Sequence, residues 1–369
     1  MALSVRKLVE RDWLSALLDY LAKRDELKVR LKYTGDVTLR RTEFGALAAD
    51  AYYTARCWPW LPEELARTAG SLLKPQDALP WLVRVLSLAS SLCDMSRSLG
   101  KKVLISVSPE EEKQHERRLK LEVLISVSPE RVSLEIGDAS VAFKPLCASF
   151  SVVETFVRGD YEVPEVLSGL RGRDVIDVGA SVGDSALYFV LNGARKVIAV
   201  EPLPNVARCA EENLKLNGIT GEVKVINAAL GSGPVSVPCD YDLWSSIGFS
   251  TLSASGPCKV PGVTISDLLN MVEDPYLLKM DCEGCEAEAI LGPEREKLRA
   301  FEHVVFETHP FITGVSNDKL LASLKELGFE CRLHRALDPK LGQNVYHCKS
   351  LSKELAPKVT LVQYLRTVF

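Results

Sequence analysis

The chain has 369 residues, more than a typical single domain, so two domains or one domain with a large extension are expected. Hydrophobic residues at 47% and charged residues at 25% suit a soluble globular protein with a sizeable core, and a formal net charge of −4 gives no global field that would gather nucleic acid. The longest apolar runs, such as Leu82 to Leu92, are broken by Arg84 and by serines and fall short of the roughly 20 apolar residues of a membrane span.

In chain order, Met1 to Glu10 carries Arg6, Lys7 and Glu10 without an apolar h-region, so a secretory signal is not expected and a cytoplasmic location is. From Leu3 to about Leu31, Leu8, Leu14, Leu17, Leu18 and Leu21 recur at helical spacing, and Trp81, Leu82, Val85, Leu88 and Leu92 repeat the pattern between Pro80 and Leu99. The first hundred residues therefore read as mainly helical, interrupted at Trp58-Pro59-Trp60-Leu61-Pro62, whose aromatic rings are expected to pack between helices. Val103 to Glu110 recurs identically as Val123 to Glu130, around a charged segment, Glu111 to Arg118; strand pairing in a small sheet is the expected use of the repeat. Arg131 to Ile136, a Gly137-Asp138 turn and Ala139 to Phe143 read as a hairpin.

From Asp174 the order becomes strand, helix, strand, helix. Predicted strands are Arg173 to Val178, Lys196 to Val200, Val223 to Leu230, Tyr276 to Met280, Val304 to Glu307, Phe329 to Leu333 and Asn344 to Cys348. Predicted helices are Asp184 to Leu191, Asn205 to Leu216, Ser266 to Met271, Cys285 to Leu291 and Asp318 to Leu327. The alternation implies an α/β fold with a parallel sheet covered on both faces. Pro234 to Val263, with Trp244 and Phe249, breaks the rhythm and is a candidate mobile cover for a substrate. The division is thus 1–149, a helical region with a small β element that serves substrate or partner; 150–349, the α/β domain; and 350–369, a helix or tail.

The most informative stretch is Asp174-Val175-Ile176-Asp177-Val178-Gly179-Ala180-Ser181-Val182-Gly183-Asp184-Ser185, followed by Val197-Ile198-Ala199-Val200-Glu201-Pro202. A buried strand turns through a Gly-rich loop onto a helix, and a second strand ends in an acid able to accept both hydroxyls of a ribose. A dinucleotide loop places glycine where Ser181 stands, and Asp177 and Asp184 at the loop's edges repel a diphosphate, which disfavours a nicotinamide dehydrogenase. They suit a ligand with an ammonium and a sulfonium, S-adenosylmethionine. Ligands of such sheets bind at the carboxyl ends of the strands, where Asn227 and Ala228, Asp281 and Glu283, and Glu307 and His309 also end strands.

These segments, with Asn213-Leu214-Lys215-Leu216-Asn217-Gly218, Ala228-Ala229-Leu230 and Leu278-Lys279-Met280-Asp281-Cys282-Glu283-Gly284-Cys285-Glu286, resemble the FkbM-type methyltransferases. The likeness runs from about Phe150, with Asp160-Tyr161 ahead of the first strand, to about Arg335. It implies a class I, Rossmann-like sheet of seven strands, mostly parallel, S-adenosylmethionine as donor, and transfer to a hydroxyl of a sugar or natural product. It places Asp177, Gly179, Ala180, Ser181 and Gly183 at the methionine end of the cofactor, Glu201 at the ribose, and Asn227 with Ala228 at the adenine; Asp184 and Pro202 complete the cofactor set.

For a hydroxyl acceptor the enzyme positions the substrate and removes a proton, for which Asp281, Glu283, Glu307 and His309 are candidates. Asp281 is also placed to hold the methionine ammonium, and Glu286, one turn into a helix, ranks lowest because it is as well suited to capping or to solvent. The four candidates have donor types that suit Mg²⁺, Mn²⁺ or Zn²⁺, but nothing in their spacing compels a metal, and none is assigned. The ten cysteines are expected to be buried thiols, those of Cys282-Glu283-Gly284-Cys285 included. Scarce glutamine and the absence of asparagine before Asn192 indicate a thermophile, in which a Cys239 to Cys258 disulfide is conceivable.

The acceptor read from this pattern is a small molecule, lipid or glycan. The runner-up is RNA, a tRNA bound by the N-terminal module, for which Lys101-Lys102 and Arg117-Arg118 are the basic runs. A different class, an inactive cofactor-binding subunit or scaffold, is disfavoured by intact Asp177, Glu201 and Asp281. Oligomeric state is not legible.

Overall fold

The computed structural model describes residues 6–10, 13–99, 103–107, 123–136, 139–242 and 248–354. The charged segment between the repeats, the two basic runs, the Gly137-Asp138 turn, Trp244 and the tail from residue 355 lie outside the described residues.

The first hundred residues, expected to be mainly helical, also contain strands. The helix Trp13–Leu21 is followed by two strands, β1 (Glu26–Leu31) and β2 (Gly35–Arg40), paired antiparallel. In β1 residues alternate, Leu27, Val29 and Leu31 buried and the residues between them exposed, a period of two that outweighs the local helical preference. Three helices follow, Arg41–Cys57, Leu61–Leu72 and Pro75–Leu99. The break at the predicted Trp-Pro-Trp-Leu-Pro segment is present; Trp58 is buried there, whereas Trp60 is half exposed. The segment Gln76–Ser98 is long and apolar enough by length and composition to cross a membrane, yet 61% of its apolar window is buried inside the protein.

The identical repeats lie side by side as β3 (Val103–Val107) and β4 (Val123–Val127), paired parallel and in register, Val103 with Val123. Ser106 and Ser126 hydroxyls meet at 3.0 Å. The hairpin β5 (Val132–Ile136) and β6 (Ala139–Phe143) completes a four-stranded sheet.

The large sheet contains β7 (Asp174–Val178), β8 (Lys196–Val200) and β9 (Val223–Ile226). Two short pairings follow: β10 (Ala229–Leu230), and β11 (Val235–Val237) with β12 (Cys258–Val260), while β13 (Gly262–Val263) pairs with β10. The sheet resumes with β14 (Pro275–Met280), β15 (His303–Glu307), β16 (Phe329–Asp338) and β17 (Gln343–Ser350). Its order is β16-β17-β15-β14-β7-β8-β9, seven strands, with β17 antiparallel to its neighbours and the other six parallel, the Rossmann-like class expected. β7 and β15 are buried at every residue, as a sheet covered on both faces requires.

The N-terminal region shares its core with the α/β domain. One apolar cluster runs from Leu8 through Phe143 and Val152 to Leu187, Leu203 and Leu214, crossing the expected boundary at 149. Asn213, fully buried on the helix Pro204–Leu216, accepts from Lys144 N at 2.9 Å and donates to Cys147 O and Val182 O; Asn217 likewise clamps both backbone groups of Ala142.

The cysteines depart from expectation. All ten form disulfides: Cys57–Cys93, Cys147–Cys209, Cys239–Cys258, Cys282–Cys285 and Cys331–Cys348. Only Cys239–Cys258 was contemplated, because pairing depends on which segments the fold brings together and spacing along the chain does not report that. Cys147–Cys209 spans 62 residues and ties the end of the small β region to the α/β domain. Replacing both by alanine is expected to cost about 2–4 kcal/mol, the range for a loop of that order, measured by urea unfolding without reductant. No change in stability would show that the bridge does not join the two regions in solution.

Candidate active site

The site forms where the carboxyl ends of five parallel strands meet. After β7 the chain turns through Gly179 (φ 76°), Ser181 (φ 46°) and Gly183 (φ 82°) onto the helix Asp184–Leu191. Gly179 admits no side chain, since a Cβ there would lie 1.8 Å from Asp281 O. Ser181 occupies the left-handed region without being glycine, at a cost of about 1–2 kcal/mol, and its N–H donates to Glu201 Oε2 at 3.0 Å. Glu201, immediately after β8, also accepts from Leu203 N at 2.9 Å. Burial raises its pKa to about 7 against these two bonds and Lys279.

Behind the loop, Asp177 and Lys279 are register partners on β7 and β14 and form a buried ion pair of 2.9 Å. Lys279 Nζ donates to Gly179 O at 2.7 Å and lies 5.0 Å from the centre of the Tyr161 ring. Ser185 Oγ donates to the other oxygen of Asp177. Asp184, also buried, accepts from Ser151 and Thr155.

A cavity of about 360 Å³ opens in front of these groups. Of the expected cofactor residues, Gly179, Ser181, Glu201, Pro202 and Ala228 line it. Asp177, Ala180, Gly183, Asp184 and Asn227 stand behind the wall and support it; Asn227 Nδ2, for example, donates to Glu201 O and Pro202 O at 2.9 Å each. One end has an apolar wall of Leu203, Val206, Ala228, Leu230, Tyr241 and Phe249 beside Glu201. The volume, the apolar slot and one carboxylate able to accept a pair of hydroxyls fit an adenosine.

The other end is acidic. Asp281, Glu283 and Glu307 line it, with Glu154, Arg158, Asp338 and Gln343, which the sequence reading did not single out. Glu154 and Arg158 come from one turn of π-helix, Glu154–Arg158, and pair with each other; Arg158 also binds Asp160. Glu283 takes φ 56°, and burial first, then the surrounding carboxylates, raises its pKa to about 8 although His309 opposes. Burial and Asp281 hold Glu307 at about 7.

His309 lies beneath this wall, 1% exposed. Its Nε2 is 3.4 Å from Glu283 and Glu307 and 3.8 Å from Asp281, while Nδ1 is 2.9 Å from Glu286. Burial lowers its basicity, but Glu286, Glu307 and Asp281 more than offset this and raise the pKa to about 11. Glu286, ranked lowest from sequence, is fully buried and accepts from Gly284 N and His309 N. It faces neither solvent nor the cavity, because Gly284 (φ 117°) turns the helix Cys285–Leu291 inward over β15. Cys282 and Cys285, expected as packing thiols, line the cavity as a disulfide.

Residues 177–331 match the methyltransferase FkbM domain. Over that stretch the chain carries a methyltransferase FkbM domain. It is accordingly an S-adenosylmethionine-dependent methyltransferase. Methyltransferase sdnD of Sordaria araneosa is 26% identical over 233 residues, 53% of this chain and 87% of that protein. Among solved structures, ribosomal protein L11 methylase from Lactobacillus delbrueckii subsp. bulgaricus is 16% identical, with a TM-score of 0.34 over 68% of this chain and 95% of that one. TrmK of M. capricolum, solved with S-adenosyl-homocysteine, is 10% identical, with a TM-score of 0.32 over 52% of this chain and 68% of that one.

Two measurements bear on this site. Lys279→Met strands Asp177 as an uncompensated buried charge and is expected to cost about 3–5 kcal/mol in urea unfolding; a loss below 1 kcal/mol would remove the pair from the framework. Glu201 accepts ribose hydroxyls best when ionised, so S-adenosylhomocysteine should bind more tightly as pH rises through about 7. The gain should reach about tenfold between pH 6 and 8 by calorimetry and vanish in Glu201→Gln. The sign for folding is opposite: a pKa raised above its usual value of 4.5 gives stability that is full below 4.5 and is lost as pH rises through about 7.

Proposed function

We propose that this enzyme methylates a hydroxyl of a small-molecule or glycan acceptor, with Glu283 as the proton acceptor. The observation that carries the reading is the charge of the cavity's acceptor end, where Glu154, Asp281, Glu283, Glu307 and Asp338 face a single arginine, Arg158, that two carboxylates already engage. A phosphodiester backbone entering that end meets like charge in a partly desolvated site, whereas a neutral, hydroxyl-bearing acceptor finds hydrogen-bond acceptors. An RNA acceptor is therefore the second reading.

When bound, the cofactor supplies a methyl group on a sulfonium, which fits a wall of carboxylates and backbone carbonyls. Glu201 would take the ribose, and Leu203, Ala228 and Phe249 the adenine. Gly179, held by Lys279 at its carbonyl, keeps side chains away from the reacting end. Glu283 reaches the cavity from a left-handed residue between β14 and the helix Cys285–Leu291, and Gly248 of the covering segment packs against its carboxylate. It would hold the acceptor hydroxyl and take its proton as the oxygen attacks. Arg158 and Gln343 would orient the rest of the acceptor.

The test follows labelled methyl from S-adenosylmethionine into fractionated cell extract. Label is expected in a small-molecule or glycan fraction, and Glu283→Gln is expected to lower kcat by about 10²–10⁴ with S-adenosylhomocysteine affinity within about twofold. Label in tRNA, with a salt-sensitive gel shift, would replace this reading by the RNA one.

A further inference from the structure

We propose that Asp281, Glu307 and His309 form a binding site for one divalent metal cation at the acceptor end of the cavity. The inference deepens the reading above, on which it rests for the cation's role but not for its binding.

One oxygen of each carboxylate and one ring nitrogen of His309 lie within 4.8 Å of one another. The individual separations, 3.4 Å from Nε2 to Glu307 Oε1 and 3.8 Å to Asp281 Oδ1, match donors that share one ion. Donors each about 2.0–2.2 Å from one ion stand about 3–4 Å apart. The independent observation is His309 Nε2: it is buried, makes no hydrogen bond, and points into this group.

His309 and Asp281 are also oriented from behind, as metal ligands are. The opposite ring nitrogen, Nδ1, is held by Glu286 at 2.9 Å. Tyr161 Oη donates to Asp281 Oδ2 at 2.8 Å, leaving Oδ1 for the site, whereas Gln343 fixes Glu307 from the cavity side by donating to Oε1, which keeps a second lone pair for the cation. Asp281 and Glu307 end adjacent parallel strands, β14 and β15, so the backbone sets their spacing. Both line the cavity, so the cation's remaining positions face the acceptor.

Two carboxylate oxygens and one imidazole favour Mn²⁺, Fe²⁺ or Zn²⁺ over Ca²⁺. There the cation acts as a Lewis acid on the acceptor's hydroxyl oxygen, and the proton passes to Glu283, which stands outside the trio. Donors at strand ends and a second acidic group beside them give this FkbM enzyme a way to favour acceptors with oxygen ligands, such as adjacent hydroxyls.

The test uses the full chain, stripped with chelator and titrated separately with MnCl₂, ZnCl₂ and MgCl₂ by calorimetry, with Mn²⁺ followed by electron paramagnetic resonance. One Mn²⁺ or Zn²⁺ per chain is expected. Asp281→Asn and His309→Gln should weaken binding at least tenfold, and Glu283→Gln should retain it. Glu286→Gln, which keeps all three donors, should weaken it about 10–100-fold, a check that survives if the ligand variants fail to fold. Absence of 1:1 binding by the wild-type chain, or equal binding by Asp281→Asn and His309→Gln, would overturn the site. S-adenosylhomocysteine titrated into the same sample separates the two ideas: if it binds and no cation does, only the metal site fails.

Discussion

A buried ion pair between neighbouring strands, Asp177 with Lys279, organises the catalytic half of this enzyme. Neither partner reaches solvent, so each depends on the other for solvation, and the strands that carry them are held in register by more than backbone bonds. The lysine also fixes the carbonyl of Gly179 and approaches Tyr161, whose hydroxyl binds Asp281. One cation thus links the cofactor loop after β7 to the acid after β14. The same residue thus supports both the Gly-rich and the acidic lining of the cavity.

The N-terminal region belongs to that same architecture. Asn213 and Asn217 give the edge of the small sheet hydrogen bonds that it lacks alone, and Cys147–Cys209 closes the junction covalently. The chain then enters Ser149 to Arg158, which forms one side of the cavity and supplies Ser151 and Thr155 to Asp184. Arg84 of the helix Pro75–Leu99 pairs with Asp242, within the segment Pro234 to Val263 that lends Tyr241, Gly248 and Phe249 to the cavity, so the region also braces the opposite wall.

Electrostatics distinguish the two ends of the cavity. At the cofactor end one carboxylate, Glu201, is satisfied by two backbone N–H groups beside an apolar slot. At the acceptor end burial first, and then the crowding of several carboxylates, makes Glu283 and Glu307 bind protons more tightly than ordinary side chains do, against the opposing imidazole of His309. Such a concentration of like charge is unfavourable for folding and is found where a ligand or cation relieves it.

What the sequence determined by itself was whatever depends on local periodicity and on the order of elements. Five apolar runs, each closed by an acid, an asparagine or a glycine turn, defined the parallel strands from Asp174 to Glu307 and the edge at which ligands of such sheets bind, since backbone hydrogen bonding and side-chain burial repeat at short range. The hairpin Glu26–Arg40 was hidden by leucines that also suit a helix, and its period of two has meaning only against a core that covers one face. Tertiary structure decided the rest: all five disulfides, the turn that buries Glu286 against His309, and the π-turn that brings Arg158 to the cavity. Each of these depends on which distant segments become neighbours, and that is set by the order of strands across the sheet, β16-β17-β15-β14-β7-β8-β9, rather than by any pattern along the chain.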